Sequence, residues 1–220
     1  MIDVNFLVFD EFETLDLFGV VEIFGRLQDR YHLNYYSMKG GLVKSSQGVE
    51  MMTQPITHLI NGDIIILPGG KGTRTLVNDQ EWIEKLRQIS LTATNVLTIC
   101  TGTALLAKTG LLNNKKATSN KRAFEWVKSV NESVLWQEKA RWIATDKYYT
   151  SSGVSAGIDM ALGFIADQYG KNLAKKLRLT LNIFGMMILI TIRLLKNKIA
   201  PFSIIYFVNF FGKNDIHSLI

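Results

Sequence analysis

The sequence predicts an α/β fold with a mostly parallel central sheet and helices on both of its faces. Short apolar runs alternate along the chain with segments of helical periodicity, which is the order that produces a parallel sheet. The apolar runs are continuous, as is typical of parallel strands buried on both faces. With 220 residues, 47% of them hydrophobic, the chain suits one large α/β domain or at most two small ones.

The first part of the chain predicts three buried strands and the elements between them. Strands are predicted over residues 2–9, 32–38 and 63–67, the last being a compact β-branched run. A helix after the first strand is indicated by apolar residues at helical spacing, namely Leu15, Phe18, Val21, Ile23 and Phe24. Gly40-Gly41 predicts a turn, and residues 42–53 predict a hairpin or edge segment around Gly48.

The second part of the chain continues the alternation. Residues 79–93 predict an amphipathic helix whose apolar face carries Trp82, Ile83, Leu86 and Ile89. Residues 96–99 predict a buried strand that leads into a helix over 103–108. Further strands are predicted over 140–144 and 148–151, and further helices over 121–130, 155–169 and 171–181.

Composition and termini exclude several classes of protein. A single cysteine cannot form an internal disulfide, and it fits a reducing cytoplasm. The N-terminus has no positively charged start before its apolar run, so it predicts a first strand and not a signal peptide. Half of the net charge of +6 lies in residues 183–220, which leaves the rest of the chain without a basic stripe for nucleic acid.

Cys100 stands at the corner between a predicted strand and a predicted helix. Residues 96–103, Val-Leu-Thr-Ile-Cys-Thr-Gly-Thr, resemble a nucleophile elbow, although Thr98 replaces the first glycine of that pattern. Ligands of parallel sheets bind at the carboxyl ends of the strands, where this corner lies. The start of the helix should lower the pKa of the thiol, which would make it nucleophilic. An inert buried cysteine is the alternative.

Two further segments follow strands that should end at the same edge of the sheet. In Pro68-Gly69-Gly70 the glycines allow close approach of backbone N–H groups, so Gly70 and Thr101 could together form an oxyanion hole. An ordinary turn that ends the strand is the simpler interpretation of these glycines.

Four acids follow the first strand, within the sequence Asp10-Glu11-Phe12-Glu13-Thr14-Leu15-Asp16. We interpret Asp10 and Glu11 as partners of the helix start, whereas Glu13 or Asp16 could point at the cysteine. A carboxylate beside a thiolate is repulsive, so one of the two groups must hold a proton. A protonated carboxylic acid there would serve as a general acid.

These segments, in this order, resemble the PfpI/ThiJ family of the class I glutamine amidotransferase-like superfamily, and the isonitrile hydratases within it most closely. The stretches 116–127 and 150–170 match the family as well, so the resemblance covers roughly residues 1–182. It implies a flavodoxin-like three-layer α/β sandwich, usually a homodimer, that acts on a small-molecule substrate. We expect no cofactor, no metal, no nucleic acid and no membrane partner.

The resemblance also assigns roles to single residues. Cys100 falls on the family nucleophile, and Asp16 falls on the acid that isonitrile hydratases use. Glu13 falls where other branches place a glutamate that contacts the thiol. Gly70 and Thr101, with the neighbouring Gly69, fall on the oxyanion and substrate-binding positions.

One position departs from the family pattern. Many relatives carry a histidine in a Lys-Ala-Thr-x-His motif, whereas this chain has Asn120 there. Hydrolysis of amides by cysteine normally needs a histidine to move the proton, so a peptidase or glutaminase activity is not expected. A hydratase needs only the thiolate and an acid.

Three functions remain open from the sequence. The first is a cysteine-dependent hydratase or hydrolase of the isonitrile hydratase type, with Cys100 as nucleophile and Asp16 as acid. The second is a glyoxalase- or deglycase-like enzyme that acts on reactive carbonyls, with Glu13 as the proton carrier. The third is a ligand or redox sensor in which Cys100 is reversibly oxidised.

Residues 183–220 differ in character from the rest of the chain. The range 183–195 holds ten apolar residues in thirteen with no helical face, and a basic break at 196–198 separates it from a second apolar run. Each run is too short to span a bilayer, and a buried helix pair would show periodicity. We favour a shifted reading frame, because suitable codons for 183–194 would encode, in another frame, the Trp-x-x-Asp-Pro-x-x-Asp-Pro-Phe segment that ends many relatives. The predicted domain is therefore 1–182.

Overall fold

The computed structural model describes residues 1–59 and 62–183 of the chain, and within these ranges strands and helices alternate as predicted. The strands are β1 Ile2–Leu7, β2 Tyr31–Ser37, β3 Gly41–Lys44, β4 Glu50–Pro55, β5 Ile64–Leu67, β6 Asn95–Ile99, β7 Lys116–Ala117, β8 Leu135–Trp136, β9 Trp142–Thr145 and β10 Tyr148–Ser151. The helices are α1 Thr14–Gly25, α2 Thr73–Leu76, α3 Gln80–Thr92, α4 Gly102–Lys108, α5 Phe124–Val130, α6 Ala156–Tyr169 and α7 Lys171–Thr180, with a single 3₁₀ turn at Ile56–His58.

The central sheet has eight strands in the order β3-β4-β2-β1-β5-β6-β10-β9. The neighbours from β4 to β10 are all parallel, and only the outermost pairs, β3 with β4 and β9 with β10, are antiparallel. Strands β7 and β8 form a separate parallel pair. The predicted flavodoxin-like α/β sandwich with a mostly parallel sheet is thus confirmed.

The order of the strands determines where a site can form. The chain runs from β1 to β2 on one side, and β5 and β6 then follow on the other side of β1. Such a reversal of strand order opens a crevice at the carboxyl ends of the strands. Because β1, β5 and β6 are neighbours in parallel register, the segments that follow them come together at one edge of the sheet.

The helices form two groups that cover the sheet. Helices α1, α6 and α7 pack together, whereas α2, α3 and α5 all pack against α4. Between the helices and the sheet lies a continuous apolar core whose largest fully buried side chains are Phe6, Phe12, Phe24, Phe164, Leu17, Ile23, Ile65, Ile66, Leu67, Leu86, Leu97 and Ile99. No helix of residues 1–59 and 62–183 combines the length and apolar character that a membrane crossing requires.

The observed elements differ from the predicted ones mainly at their ends. The first strand ends at Leu7 and not at residue 9, and the strand predicted over 140–144 begins at Trp142. Helix α5 begins at Phe124, because the Asn120 side chain accepts hydrogen bonds from the Arg122 and Ala123 N–H groups and holds that stretch as a turn. The elements α2, β7 and β8 were not predicted, since two to four residues show no periodicity. From residue 184 onward the predicted tail lies outside the described residues.

Candidate active site

The backbone around Cys100 forms a sharp corner between β6 and α4. Cys100 has a φ of +56°, in the left-handed region that residues other than glycine rarely adopt. Its N–H donates to the Ser151 carbonyl at 3.0 Å, which extends the pairing of β6 with β10 by one residue. Its carbonyl accepts a hydrogen bond from the Ser119 hydroxyl at 2.6 Å. The corner is therefore fixed from both sides, as the elbow pattern predicts.

Two glycines leave room for the Cys100 side chain. A Cβ on Gly69 would lie 2.8 Å from the Cys100 Cβ and 2.6 Å from the Thr101 nitrogen. A Cβ on Gly153 would lie 2.4 Å from the Cys100 Cβ and 2.7 Å from its sulfur. Both positions therefore require glycine for steric reasons. Cys100 itself is only 6% exposed, so neighbouring residues cover nearly all of it.

The Asp16 carboxyl group lies against the thiol and has no exposure to solvent. Its Oδ2 accepts a hydrogen bond from the Gly69 N–H at 3.1 Å, and its Oδ1 accepts one from the Val154 N–H at 2.8 Å. It also shares a hydrogen bond with Cys100. Burial raises the pKa of Asp16 to about 6, while the two backbone donors oppose that rise.

The position of Cys100 at a helix start predicts a lowered pKa for its thiol, but in the folded chain that pKa is raised. Burial and the negative charge of Asp16 together raise that pKa to about 12. The Thr101 N–H and the Asn120 side chain lower it, but they do not compensate. At neutral pH the Asp16–Cys100 pair therefore holds one proton. That proton is on the sulfur, and Asp16 is ionised.

Asn120 contacts the Cys100 sulfur directly. Its Nδ2 donates to the Cys100 Sγ at 3.1 Å. Its Oδ1 accepts from the N–H groups of Arg122 at 2.9 Å and Ala123 at 3.2 Å. These two bonds fix the orientation of the amide, so Asn120 presents only a donor to the thiol. It can stabilise negative charge on sulfur, but it cannot take a proton from it.

The structure separates the two candidate acids, Glu13 and Asp16. Glu13 immediately precedes α1, where its N–H donates to the Gly69 carbonyl at 2.8 Å. Its carboxylate accepts a hydrogen bond from the Gln47 side chain at 2.9 Å, at the tip of the β3–β4 hairpin. It acts on the site through its charge, which contributes to the raised pKa of Asp16. Of the two acids, Asp16 is the one bonded to the thiol.

The two amides predicted to form an oxyanion hole point in different directions. The Gly70 N–H donates to the Thr101 hydroxyl oxygen at 3.0 Å, and that hydroxyl donates back to the Gly70 carbonyl at 3.2 Å. The Thr101 N–H is directed at the Cys100 sulfur. The donors that face the sulfur are thus the Thr101 amide and the Asn120 side chain, whereas the Gly70 amide has an internal acceptor.

Three residues of the site were missed by the sequence reasoning. Ser119 anchors the Cys100 carbonyl, Gly153 packs on the thiol, and Val154 donates to Asp16 with a φ of +45°. A positive φ is unusual for a β-branched residue and indicates that surrounding contacts hold this loop in place. Their only sequence signal is that they lie next to Asn120 or within the stretch 150–170. In the described part of the chain, no group of three histidine, cysteine or acidic side chains is placed to hold a metal.

The amino-acid sequence is similar to those of several characterised proteins. The chain is 28% identical to isonitrile hydratase of Pseudomonas putida over 184 residues, 82% of this chain and 78% of that protein. It is 28% identical to the HTH-type transcriptional regulator CdhR of Pseudomonas aeruginosa over 181 residues, 78% of this chain but only 52% of the regulator. Deglycase PfpI of Pyrococcus furiosus is 27% identical over 118 residues, 52% of this chain and 69% of the deglycase.

Solved structures share the same fold. A ThiJ/PfpI family protein from Pseudomonas syringae superposes with a TM-score of 0.76 at 23% identity, covering 84% of this chain and 76% of that one. The model of the DJ-1/PfpI family matches residues 3–167, a range that contains Asp16, Cys100 and Asn120. With the elbow, the acid and the strand order in place, the chain belongs to the DJ-1/PfpI family.

Proposed function

We propose that this protein is a cysteine-dependent enzyme that adds water to a small electrophile, in the manner of an isonitrile hydratase. The observation that carries the proposal is the buried hydrogen-bonded contact between the Asp16 carboxyl group and the Cys100 thiol. Such a pair supplies a nucleophile and an acid from two side chains, without a third titrating group.

The proposed reaction moves the thiol proton in a cycle. As sulfur attacks the isonitrile carbon, the Asp16 carboxylate accepts the thiol proton and then delivers it to that carbon, which gives a thioimidate on Cys100. Water adds to the thioimidate carbon and one of its protons goes to nitrogen. Departure of sulfur, which regains a proton, releases an N-substituted formamide. The Asn120 Nδ2 and the Thr101 N–H stabilise the thiolate as it forms and leaves.

The raised pKa of Asp16 suits this role. A carboxyl group with a pKa of about 6 is ionised at neutral pH and can accept a proton, yet it is basic enough to hold that proton transiently. Asn120 cannot relay a proton to a leaving amine, which supports a hydratase over a peptidase or glutaminase. Glu13, the proton carrier of the deglycase alternative, is bonded to Gln47 instead of the thiol.

The experiment that tests the proposal is a turnover assay with an alkyl isonitrile and with methylglyoxal in parallel. We expect formamide from the isonitrile with the unaltered chain and none with Cys100→Ala. The control variant Glu22→Gln changes an exposed residue of α1, the helix that carries Asp16, where Glu22 pairs with Arg26, and it should keep full activity. Turnover of methylglyoxal alone would favour the deglycase alternative.

The sensor alternative is tested on the same preparation. If neither compound is turned over while mild peroxide adds oxygen at Cys100, as measured by intact mass, the hydratase proposal fails. We further propose that the protein acts as a cytoplasmic homodimer on a small-molecule substrate. The exposed apolar residues Leu15 and Phe18 on α1 support a partner surface, and light scattering of the full chain measures the oligomeric state.

A further inference from the structure

One cation, Arg74, has no role in the reaction described above. Arg74 lies on α2, is exposed, and places its guanidinium carbon 3.5 Å from the centre of the Trp126 ring on α5. Among the described residues no carboxylate forms an ion pair with Arg74. Glu125, which adjoins Trp126 in the sequence, has its carboxylate engaged by Lys128 at 3.2 Å.

Contacts connect the Arg74–Trp126 pair to the Cys100 thiol in two directions. In one direction, the Asn120 Nδ2 bonds the Cys100 sulfur at 3.1 Å, and the Asn120 Oδ1 bonds the Ala123 N–H at 3.2 Å, directly before α5. Trp126 is the third residue of that helix. One short turn therefore connects the sulfur to the indole ring.

In the other direction the contacts pass through Gly70, in the turn after β5. Thr101, next to Cys100, bonds the Gly70 N–H at 3.0 Å through its hydroxyl. The Thr73 hydroxyl donates to the Gly70 carbonyl at 2.7 Å, and Arg74 is the next residue. Arg74 and Trp126 thus belong to two segments that are each hydrogen-bonded to the Cys100 corner.

A guanidinium stacked on an indole keeps its N–H edge available to a partner, and a planar carboxylate matches that edge with two parallel hydrogen bonds. We infer that Arg74, held flat by Trp126, binds a carboxylate or similar anionic group on the small molecule that Cys100 attacks. This inference rests on the proposed function, because it assumes that Cys100 is the nucleophile. It adds a substrate class: a small electrophile that carries a negative charge.

The test compares two alkylating agents of similar size, iodoacetate, which carries a carboxylate, and iodoacetamide, which carries a neutral amide. Both transfer a carbon to the thiol with loss of iodide, so the ratio of their second-order rates at Cys100 reports anion binding. Arg74→Met should lower the iodoacetate-to-iodoacetamide ratio about fivefold at low salt, as expected for a partly exposed charge pair. The neutral reagent also shows whether each variant keeps its site intact.

The matched control is Arg87→Met, which removes one exposed cation from α3 and should leave the ratio unchanged. Trp126→Leu, which keeps the charge but removes the platform, should lower the ratio by a smaller factor. An unchanged ratio in Arg74→Met, or an equal fall in Arg87→Met, overturns the inference while Cys100 still reacts. If neither reagent modifies Cys100 in the unaltered chain, the proposed function itself fails, and this inference fails with it.

Discussion

The two sides of the Cys100 crevice differ in what they offer to the sulfur. The side formed by α1 and the start of α6 supplies a proton acceptor, Asp16, which is fully buried and held by the Gly69 and Val154 amides. The opposite side supplies only hydrogen-bond donors, the Asn120 side chain and the Thr101 N–H. The first side raises the pKa of the thiol and the second opposes that rise. The group that accepts the proton and the groups that stabilise charge on sulfur are therefore separated in space.

The largest expected effect comes from removing the proton acceptor. Asp16→Asn should reduce turnover by at least about 100-fold, because general acid–base catalysis contributes that much or more. The pKa of Cys100 should fall at the same time, since the negative charge beside it is lost. The rate of iodoacetamide alkylation against pH measures this shift. Unchanged turnover in this variant would contradict the assignment of Asp16 as the proton acceptor.

Asp16 should also make folding stability depend on pH. Its pKa in the folded state, about 6, is above the value of 3.8 expected when unfolded, so its contribution is present below pH 3.8 and is lost as pH rises through 6. The loss should be about 3 kcal/mol in the free energy of unfolding. Urea unfolding at pH 4 and pH 7, compared with Asp16→Asn, measures it. Equal pH dependence in the two proteins would contradict a raised pKa for Asp16.

A methyl group at Gly153 tests how tightly the α6 side closes on the sulfur. Gly153→Ala combines a backbone φ of +89° with a Cβ placed 2.4 Å from the Cys100 Cβ. Gly48→Ala is the matched control, with the same φ of +89° and nothing within 4 Å of the added Cβ. Gly153→Ala should cost about 2 kcal/mol more in unfolding free energy than Gly48→Ala, because overpacking adds to strain. Equal costs would show that the loop is not packed on the thiol.

The smallest expected effect is on the donor side. Asn120→Ala should lower turnover about tenfold, less than a fully formed oxyanion-hole donor contributes, since the Thr101 N–H remains. The pKa of Cys100 should rise in this variant, whereas it falls in Asp16→Asn. The same alkylation profile measures both variants. Shifts of equal sign would remove the distinction between the two sides of the crevice.

Much of the fold was predictable because its strands and helices are long and strongly patterned. The buried runs that became β5 and β6 and the amphipathic stretch that became α3 were placed within one or two residues. The short elements α2, β7 and β8 were not, since tertiary packing and not local periodicity holds them. The turn at residues 121–123 escaped prediction as well, because it depends on a side-chain oxygen of Asn120.

The candidate site was predicted as a set of residues but not as an arrangement. The sequence gives no reason to prefer Glu13 or Asp16 as the acid beside the thiol. In the folded chain the Asp16 carboxyl group is bonded to the thiol, whereas the Glu13 carboxylate is bonded to Gln47. Similarly, the Thr101 hydroxyl occupies the Gly70 amide, a contact between two segments 31 residues apart.

The sequence by itself determined the fold class, the family and the position of Cys100 at the corner between β6 and α4, because strand periodicity, glycine turns and the elbow motif are local patterns. The tertiary structure decided which acid is bonded to the thiol, which donors face the sulfur and in which direction the pKa of the thiol moves. The helix start alone would lower that pKa, yet burial and the charge of Asp16 raise it to about 12. Burial and through-space charge depend on which distant segments pack together, and that information exists only in the folded chain.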